Sequence, residues 1–155
     1  MAVQGAFTVF DWSLLFIGDG STDLLLPSSS FNLVLTTSAQ VLTPDFVGAS
    51  GNCQYSDLSA ELPTASGYTA GGVPLSGVSI SRSSSPVVEW DSSLARWSLT
   101  GPLTFKYMVI VNLSTPNHNL VGYADMDTSG GSITAIPGVL SIAPAATGWL
   151  SYSRA

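Results

Sequence analysis

Leu103-Thr104-Phe105-Lys106-Tyr107-Met108-Val109-Ile110-Val111 is a dense run of β-branched and aromatic residues. Such side chains lose rotamer freedom on a helix and fit a pleated, half-buried surface, so the run reads as a central strand. Immediately downstream, Ser114-Thr115-Pro116-Asn117-His118-Asn119 has the chemistry of a tight loop. Leu120 to Met126 then follows as the returning arm of a hairpin. Working outward, Phe31-Asn32-Leu33-Val34-Leu35-Thr36 alternates apolar and polar residues and then runs apolar, as a half-buried strand does. Val73 to Ser81, Val87 to Trp90, Ser132 to Ile136, Val139 to Ile142 and Trp149 to Tyr152 continue the series. Ala6 to Ile17, rich in aromatics and ended by Gly18-Asp19-Gly20, reads as a further strand. About eight or nine short strands at this spacing predict an all-β, single-domain antiparallel β-sandwich or jelly roll.

Helix is expected to be scarce. One short helix is placed over Ser56 to Leu62, with Ser56 as cap and Asp57 at the positive end of the dipole. Leu58 and Leu62 then share a face, and Pro63 stops the turn. Thr22 to Leu26 is a second, shorter possibility. Residues 1–22 read as an N-terminal strand or arm and residues 23–155 as the sandwich domain. Ser28-Ser29-Ser30 and Ser83-Ser84-Ser85 read as exposed loops.

Composition narrows the function. Of 155 residues, 45% are hydrophobic and only 9% charged, against about 25% charged in ordinary domains. The net charge is −6, from ten acidic residues and four basic ones. Arg82, Arg96, Lys106 and Arg154 are scattered, so neither nucleic acid nor an anionic membrane surface is expected as a partner. The start of the chain lacks a basic stretch, Asp11 interrupts its apolar run, and no signal peptide is read there. No apolar run approaches the ~20 residues of a membrane helix, so a soluble protein is expected. Cys53 stands alone and reads as a small buried hydrophobe.

Catalytic constellations are hard to assemble. His118 is the single histidine and sits in the hairpin loop, without a Gly-x-Ser-x-Gly elbow anywhere to serve. Glu61 and Glu89 are the two glutamates, and nothing in their spacing sets up a glycosidase pair. Asp125 and Asp127 share a face of a strand, and Asp19-Gly20-Ser21-Thr22-Asp23 gathers oxygens at a turn. Both are read as turn aspartates in preference to calcium ligands, since no EF-hand pattern completes them. Gly67-Tyr68-Thr69-Ala70-Gly71-Gly72 lacks the following Lys-Ser/Thr of a phosphate loop. Asn112-Leu113-Ser114 matches a glycosylation signal by coincidence in a chain read as unsecreted. No catalytic residue, metal ligand or cofactor site is expected.

From Asp23 onward the chain resembles a recurring type of small virion structural protein of tailed bacteriophages. The most specific stretch is Tyr55-Ser56-Asp57-Leu58-Ser59-Ala60-Glu61-Leu62, followed by Gly67-Tyr68-Thr69-Ala70-Gly71-Gly72-Val73-Pro74-Leu75. Asp23-Leu24-Leu25, Val87-Val88-Glu89-Trp90-Asp91, Trp97, Leu120-Val121-Gly122-Tyr123-Ala124-Asp125 and Gly148-Trp149-Leu150 accompany it in order. The resemblance implies a part of the particle and not an enzyme: a capsid decoration or cement protein that binds major capsid protein or other virion proteins. It implies a homo-oligomer such as a trimer, assembled in the host cytoplasm and located in the virion. A tail-fibre, baseplate or adaptor subunit and a carbohydrate-binding sandwich are the alternatives. Physically, the motif reads as a corner. Gly71 and Gly72 permit a sharp turn, Tyr68 folds back to anchor the loop, and Leu58 and Leu62 plug one end of the sandwich. Tyr55, Asp57, Glu61 and Gly67 complete that fold motif. Contacts with neighbours are expected from the aromatic N-terminal segment, Phe7, Phe10, Trp12 and Phe16, and from Trp149 and Tyr152 near the C-terminus. Phe, Tyr and Trp are enriched at interfaces where charge is depleted.

Overall fold

A computed structural model describes residues 3–18, 30–84 and 87–153. The fold is all-β and sandwich-like, with strands β1 (Thr8–Val9), β2 (Phe31–Thr36), β3 (Val73–Pro74), β4 (Ser79–Ser84), β5 (Val87–Asp91) and β6 (Ala95–Leu99). They continue as β7 (Leu103–Phe105), β8 (Tyr107–Asn112), β9 (Leu120–Asp125), β10 (Ile133–Ala135), β11 (Gly138–Ile142) and β12 (Leu150–Ser153). One helix, α1 (Asp11–Gly18), follows β1, and a 3-10 turn spans Tyr55–Asp57. All pairings are antiparallel. A five-stranded sheet has the order β1-β9-β8-β2-β3; opposite it lie β12-β5-β4 and the two ribbons β11-β6 and β10-β7.

The large sheet is buried on both faces, which explains the near-continuous apolar runs of β2 and β8. Phe31, Leu33, Leu35, Met108 and Ile110 point into a core shared with Trp90, Trp97, Leu99, Phe105 and Trp149. Phe31 meets Trp90 edge to face at 5.3 Å across that interior. Val34, Val109, Val111 and Leu120 face a second core, roofed by Phe10, Leu42, Cys53 and Leu58. A register shift between Ile110 and Val111 in the β8–β9 ladder accommodates Val121, which joins the first core while Leu120 joins the second.

Several expectations need correction. The stretch 103–111 is not one strand: it breaks at Lys106 into β7 and β8, which belong to different sheets. Phe105 and Met108 both enter the first core although three residues apart, so strand alternation has to be interrupted between them. The interruption is held by Lys106, whose amide donates to Thr36 O (2.8 Å) and whose ammonium pairs with Asp125 Oδ1 (2.9 Å). Ala6 to Ile17 is not a strand throughout, because only Thr8–Val9 pairs, with β9, before α1 begins. No helix covers Ser56 to Leu62. After the 3-10 turn the chain turns again at Ser59-Ala60, Glu61 bridges Thr36, and Leu58 and Leu62 enter different cores. Val73 to Ser81 divides into β3 and β4, and β6 was not anticipated. Thr22 to Leu26, Ser28-Ser29 and Ser85 lie outside the described residues. Among the described residues no helix is long and apolar enough to cross a membrane.

Candidate functional site

Tyr55, Glu61, Tyr68 and Gly71 meet in one corner, and Glu61 is its hub. Its carboxylate accepts hydrogen bonds from the Tyr55 hydroxyl, from the Tyr68 hydroxyl (2.8 Å) and from the Gly71 amide (2.6 Å). The Tyr68 oxygen in turn accepts the Leu35 amide (3.1 Å), which lies beyond the end of the short β2–β3 ladder. A phenol thus takes the place of a missing strand. Burial, then the neighbouring Glu61, pushes the Tyr55 hydroxyl upward. Burial above all does the same for Tyr68, so both remain donors. Gly72 is required by shape: its φ is +72°, and a Cβ there would collide with the Leu33 carbonyl. Asn32 Nδ2 fastens the turn by donating to Gly71 O (2.7 Å). Gly67 passes so close to β6 that a Cβ would strike Ser98 O.

Asp57 closes the adjoining loop. It accepts the Ser50 amide (2.8 Å), the Ser50 hydroxyl (2.5 Å) and the Gln54 amide (2.9 Å). Burial works to raise its carboxyl, but these hydrogen bonds outweigh it and hold the group below the usual carboxylate value. Glu61, a member of the expected fold motif, is committed internally, because its acceptor sites are turned onto this corner.

The other candidate groups are also matched internally. Lys106 is buried against Asp125, donates to Asp127 O and lies 5.7 Å from the Tyr107 ring centroid. Asp125 Oδ1 accepts the Asp127 amide (2.9 Å), and the Ser129 hydroxyl holds the Asp127 carboxyl below its ordinary value. The pair considered as a cation site therefore already faces an ammonium. Asp19 to Asp23 lies outside the described residues, and among those described no three His, Cys, Asp or Glu side chains gather as metal ligands. His118 is an exposed loop residue with φ +50°. Glu89 is half-buried in β5, opposite Ser81 and Ser151. Cys53 is buried, and desolvation followed by the Asp57 charge pushes its thiol up to about 12. Asn112 is also buried, its Oδ1 accepting the Ser114 amide (3.0 Å) and hydroxyl (2.6 Å).

In the interior, Thr36 Oγ1, Trp97 Nε1 and Asn112 Nδ2 are buried without a hydrogen-bond partner among the described residues, and the surface carries unmatched apolar groups. Of the aromatic residues expected at contacts, Phe10 and Trp149 are core residues, while Phe7, Trp12 and Phe16 are half-buried. Phe7 packs on Trp149 at 5.8 Å, and Trp12 on Phe16 at 5.9 Å. The backbone of Tyr152 pairs with Val88 in β12–β5, and its side chain lies outside the described set. The N-terminal segment does expose an apolar face, but through different residues. On α1, Ser13 turns inward and donates to Leu120 O, while Asp11, Leu14 (53% exposed) and Leu15 (55% exposed) line the outer side. These three fall at i, i+3 and i+4, one face of a helix. The Asp11 amide donates to Pro44 O (2.8 Å), which sets the start of α1 beside the loop bearing exposed Val41 and Val47. A cavity of about 280 Å³ lies between residues 4–7 and 143–151, with Met108 and Trp149 in its wall.

Comparison of the chain with family models, with curated proteins and with solved structures returned no match.

Proposed function

We propose that this protein is a structural component of a tailed-phage particle, a decoration or cement protein that binds major capsid protein subunits and stabilises the shell. The observation that carries the reading is the outer side of α1. There Leu14 and Leu15 stand in solvent while Trp12 and Ile17 of the same helix pack against the two cores. A helix apolar on both sides is normally covered on both sides. The polar clusters of the chain, Tyr55–Glu61–Tyr68, Asp57–Ser50 and Lys106–Asp125, bind each other and present no constellation aimed at a substrate. What the surface offers a partner is therefore apolar area. At about 25 cal/mol per Å², a few hundred Å² of it contributes several kcal/mol per contact before association costs. Repetition around a shell multiplies that gain.

A sugar-binding platform is the less supported reading, because no Trp or Tyr side chain among the described residues is fully exposed. The test is the copy number in purified virions, from quantitative mass spectrometry against the major capsid protein. A number comparable with the capsid protein supports the shell role. A small fraction of it moves the protein to a tail fibre, baseplate or adaptor, and absence from virions overturns the reading.

A further inference from the structure

Edges of β-sheets present unpaired amides and carbonyls, and natural proteins guard them with shortness, bulges, charge or a covering segment. Most edges here carry such a guard. β1 and β3 are two residues long and β10 three. β4 bears Arg82 and a register irregularity between Ser81 and Ser84. β6 is covered on its far side by Ser66 and Gly67, Ser66 O accepting the Thr100 amide. β12 faces residues 4–7 across the cavity.

Among the described residues β11 has none of these guards. It is five residues long, Gly138-Val139-Leu140-Ser141-Ile142, regular in register with β6, and free of charge and proline. Among the described residues its backbone hydrogen bonds go to β6 alone. Nothing lies within 4 Å of a Cβ built on Gly138, so the start of the edge is open. Val139 is 71% exposed on the outward face and Ile136, just before the strand, 78%.

We infer that the free edge of β11 pairs antiparallel with β11 of a second copy of this chain, joining two β6–β11 ribbons into one four-stranded sheet. Hydrogen-bonding geometry requires an extended strand as occupant, and charge selects which strand. The chain carries −6, yet none of its ten acidic residues lies on β6 or β11, whose single charge is Arg96. Two copies therefore meet here with no carboxylate opposed to a carboxylate along the paired strands. A β11 edge is also complementary to itself under a two-fold axis, with Val139, Leu140 and Ser141 neutral on both sides. The contact is isologous and closes at a dimer, in place of the trimer implied by the resemblance. It concerns the isolated chain and stands whether or not the protein belongs to a particle.

The test uses the full chain in sedimentation velocity over a concentration series up to about 1 mM, the weak end of the affinity scale. A monomer–dimer equilibrium is expected, with amides of residues 138–142 gaining protection from hydrogen exchange as concentration rises. Val139→Lys with Ser141→Lys places cations on two exposed edge positions and is expected to weaken dimerisation about tenfold or more. Its unfolding midpoint, measured alongside, should match that of the unaltered chain. If the variant fails to fold, the exchange pattern of the unaltered chain decides. A monomer at every concentration, an unchanged dimer in the lysine variant, or concentration-dependent protection confined to another strand overturns the inference.

Discussion

Tyr68→Phe removes one oxygen atom from the corner and leaves the ring, stacked 6.3 Å from Trp97, in place. Two bonds go with it: the acceptor for the Leu35 amide and a donor to Glu61. Leu35 is fully buried in β2, so its N–H loses a partner where water does not reach. An orphaned buried donor costs about 1–3 kcal/mol. Glu61 keeps Tyr55 and Gly71 and is half-buried, so its loss adds little. The expected destabilisation is about 2 kcal/mol, which lowers the melting midpoint by about 4–8 °C in a chain of this size. Urea unfolding followed by tryptophan fluorescence measures it, and an unchanged m-value shows that the unfolded state is not the cause. Tyr55→Phe is the internal control. Its hydroxyl serves Glu61 alone among the described partners and is half-buried, so about 1 kcal/mol or less is expected. A loss in Tyr68→Phe below about 0.5 kcal/mol, or no larger than in Tyr55→Phe, would refute the argument that the phenol completes β2.

Gly72→Ala and Gly71→Ala both place a side chain at positive φ, which costs roughly 1–2 kcal/mol. Only the Gly72 substituent collides with the Leu33 carbonyl, so Gly72→Ala should lose at least about 1 kcal/mol more in denaturant unfolding. Asp57 and Asp127 have folded-state carboxyls held below the ordinary 3.8. Their contribution is present above that value and lost as the pH falls through the folded values, so the urea midpoint should drop in acid. Asp57→Asn should flatten that acid limb in a pH series from about 2 to 6. Cys53, buried and with its thiol raised to about 12, should react with a thiol reagent at mildly alkaline pH only as fast as the fold opens. Labelling at the rate of an unfolded chain would count against its burial.

What the sequence revealed depends on where the deciding contacts lie. Phe31–Thr36 has its strand pattern within itself, and the expected bounds coincide with β2. The break at Lys106 was not readable, because its reason sits at Asp125 and Asp127, across the β8–β9 hairpin. β6 could have been found: Ala95, Trp97 and Leu99 are buried and alternate with exposed Arg96 and Ser98. α1 misled because leucines and aromatics occupy every side of it, leaving no amphipathic stripe to mark a helix. The Leu58–Leu62 spacing suggested one helical face, whereas a non-helical turn at Ser59-Ala60 sends them into separate cores. The partners of Glu61 were not readable, since Tyr55 and Tyr68 lie 6 and 7 residues from it, at no spacing that a regular helix or strand brings together. The corner as a unit was legible; its wiring was not.

The scarcity of charge has a common explanation in these contacts. Asp57, Glu61, Asp125 and Asp127 all accept hydrogen bonds from within the chain, and the lone lysine is buried against one of them. Residues 37–72 cover the second face of the large sheet through Leu42, Cys53 and Leu58 and reach the first core through Leu62 and Tyr68 with almost no regular strand, so no ladder fixes their course. Glu61, Tyr68 and Asp57 supply that fixing through side chains, at the Thr36 bridge, the Leu35 amide and the Ser50 loop. Charged groups committed this way are not available to guard the outside. Where β4 carries Arg82 and a bulge, β11 carries only Val139 and Ser141, and α1 turns two leucines to solvent. A lone domain with open edges and apolar faces is prone to unselected association. A chain whose working state covers those surfaces with neighbours is relieved of that constraint, and internal clamps can then take the charges that solubility would otherwise demand.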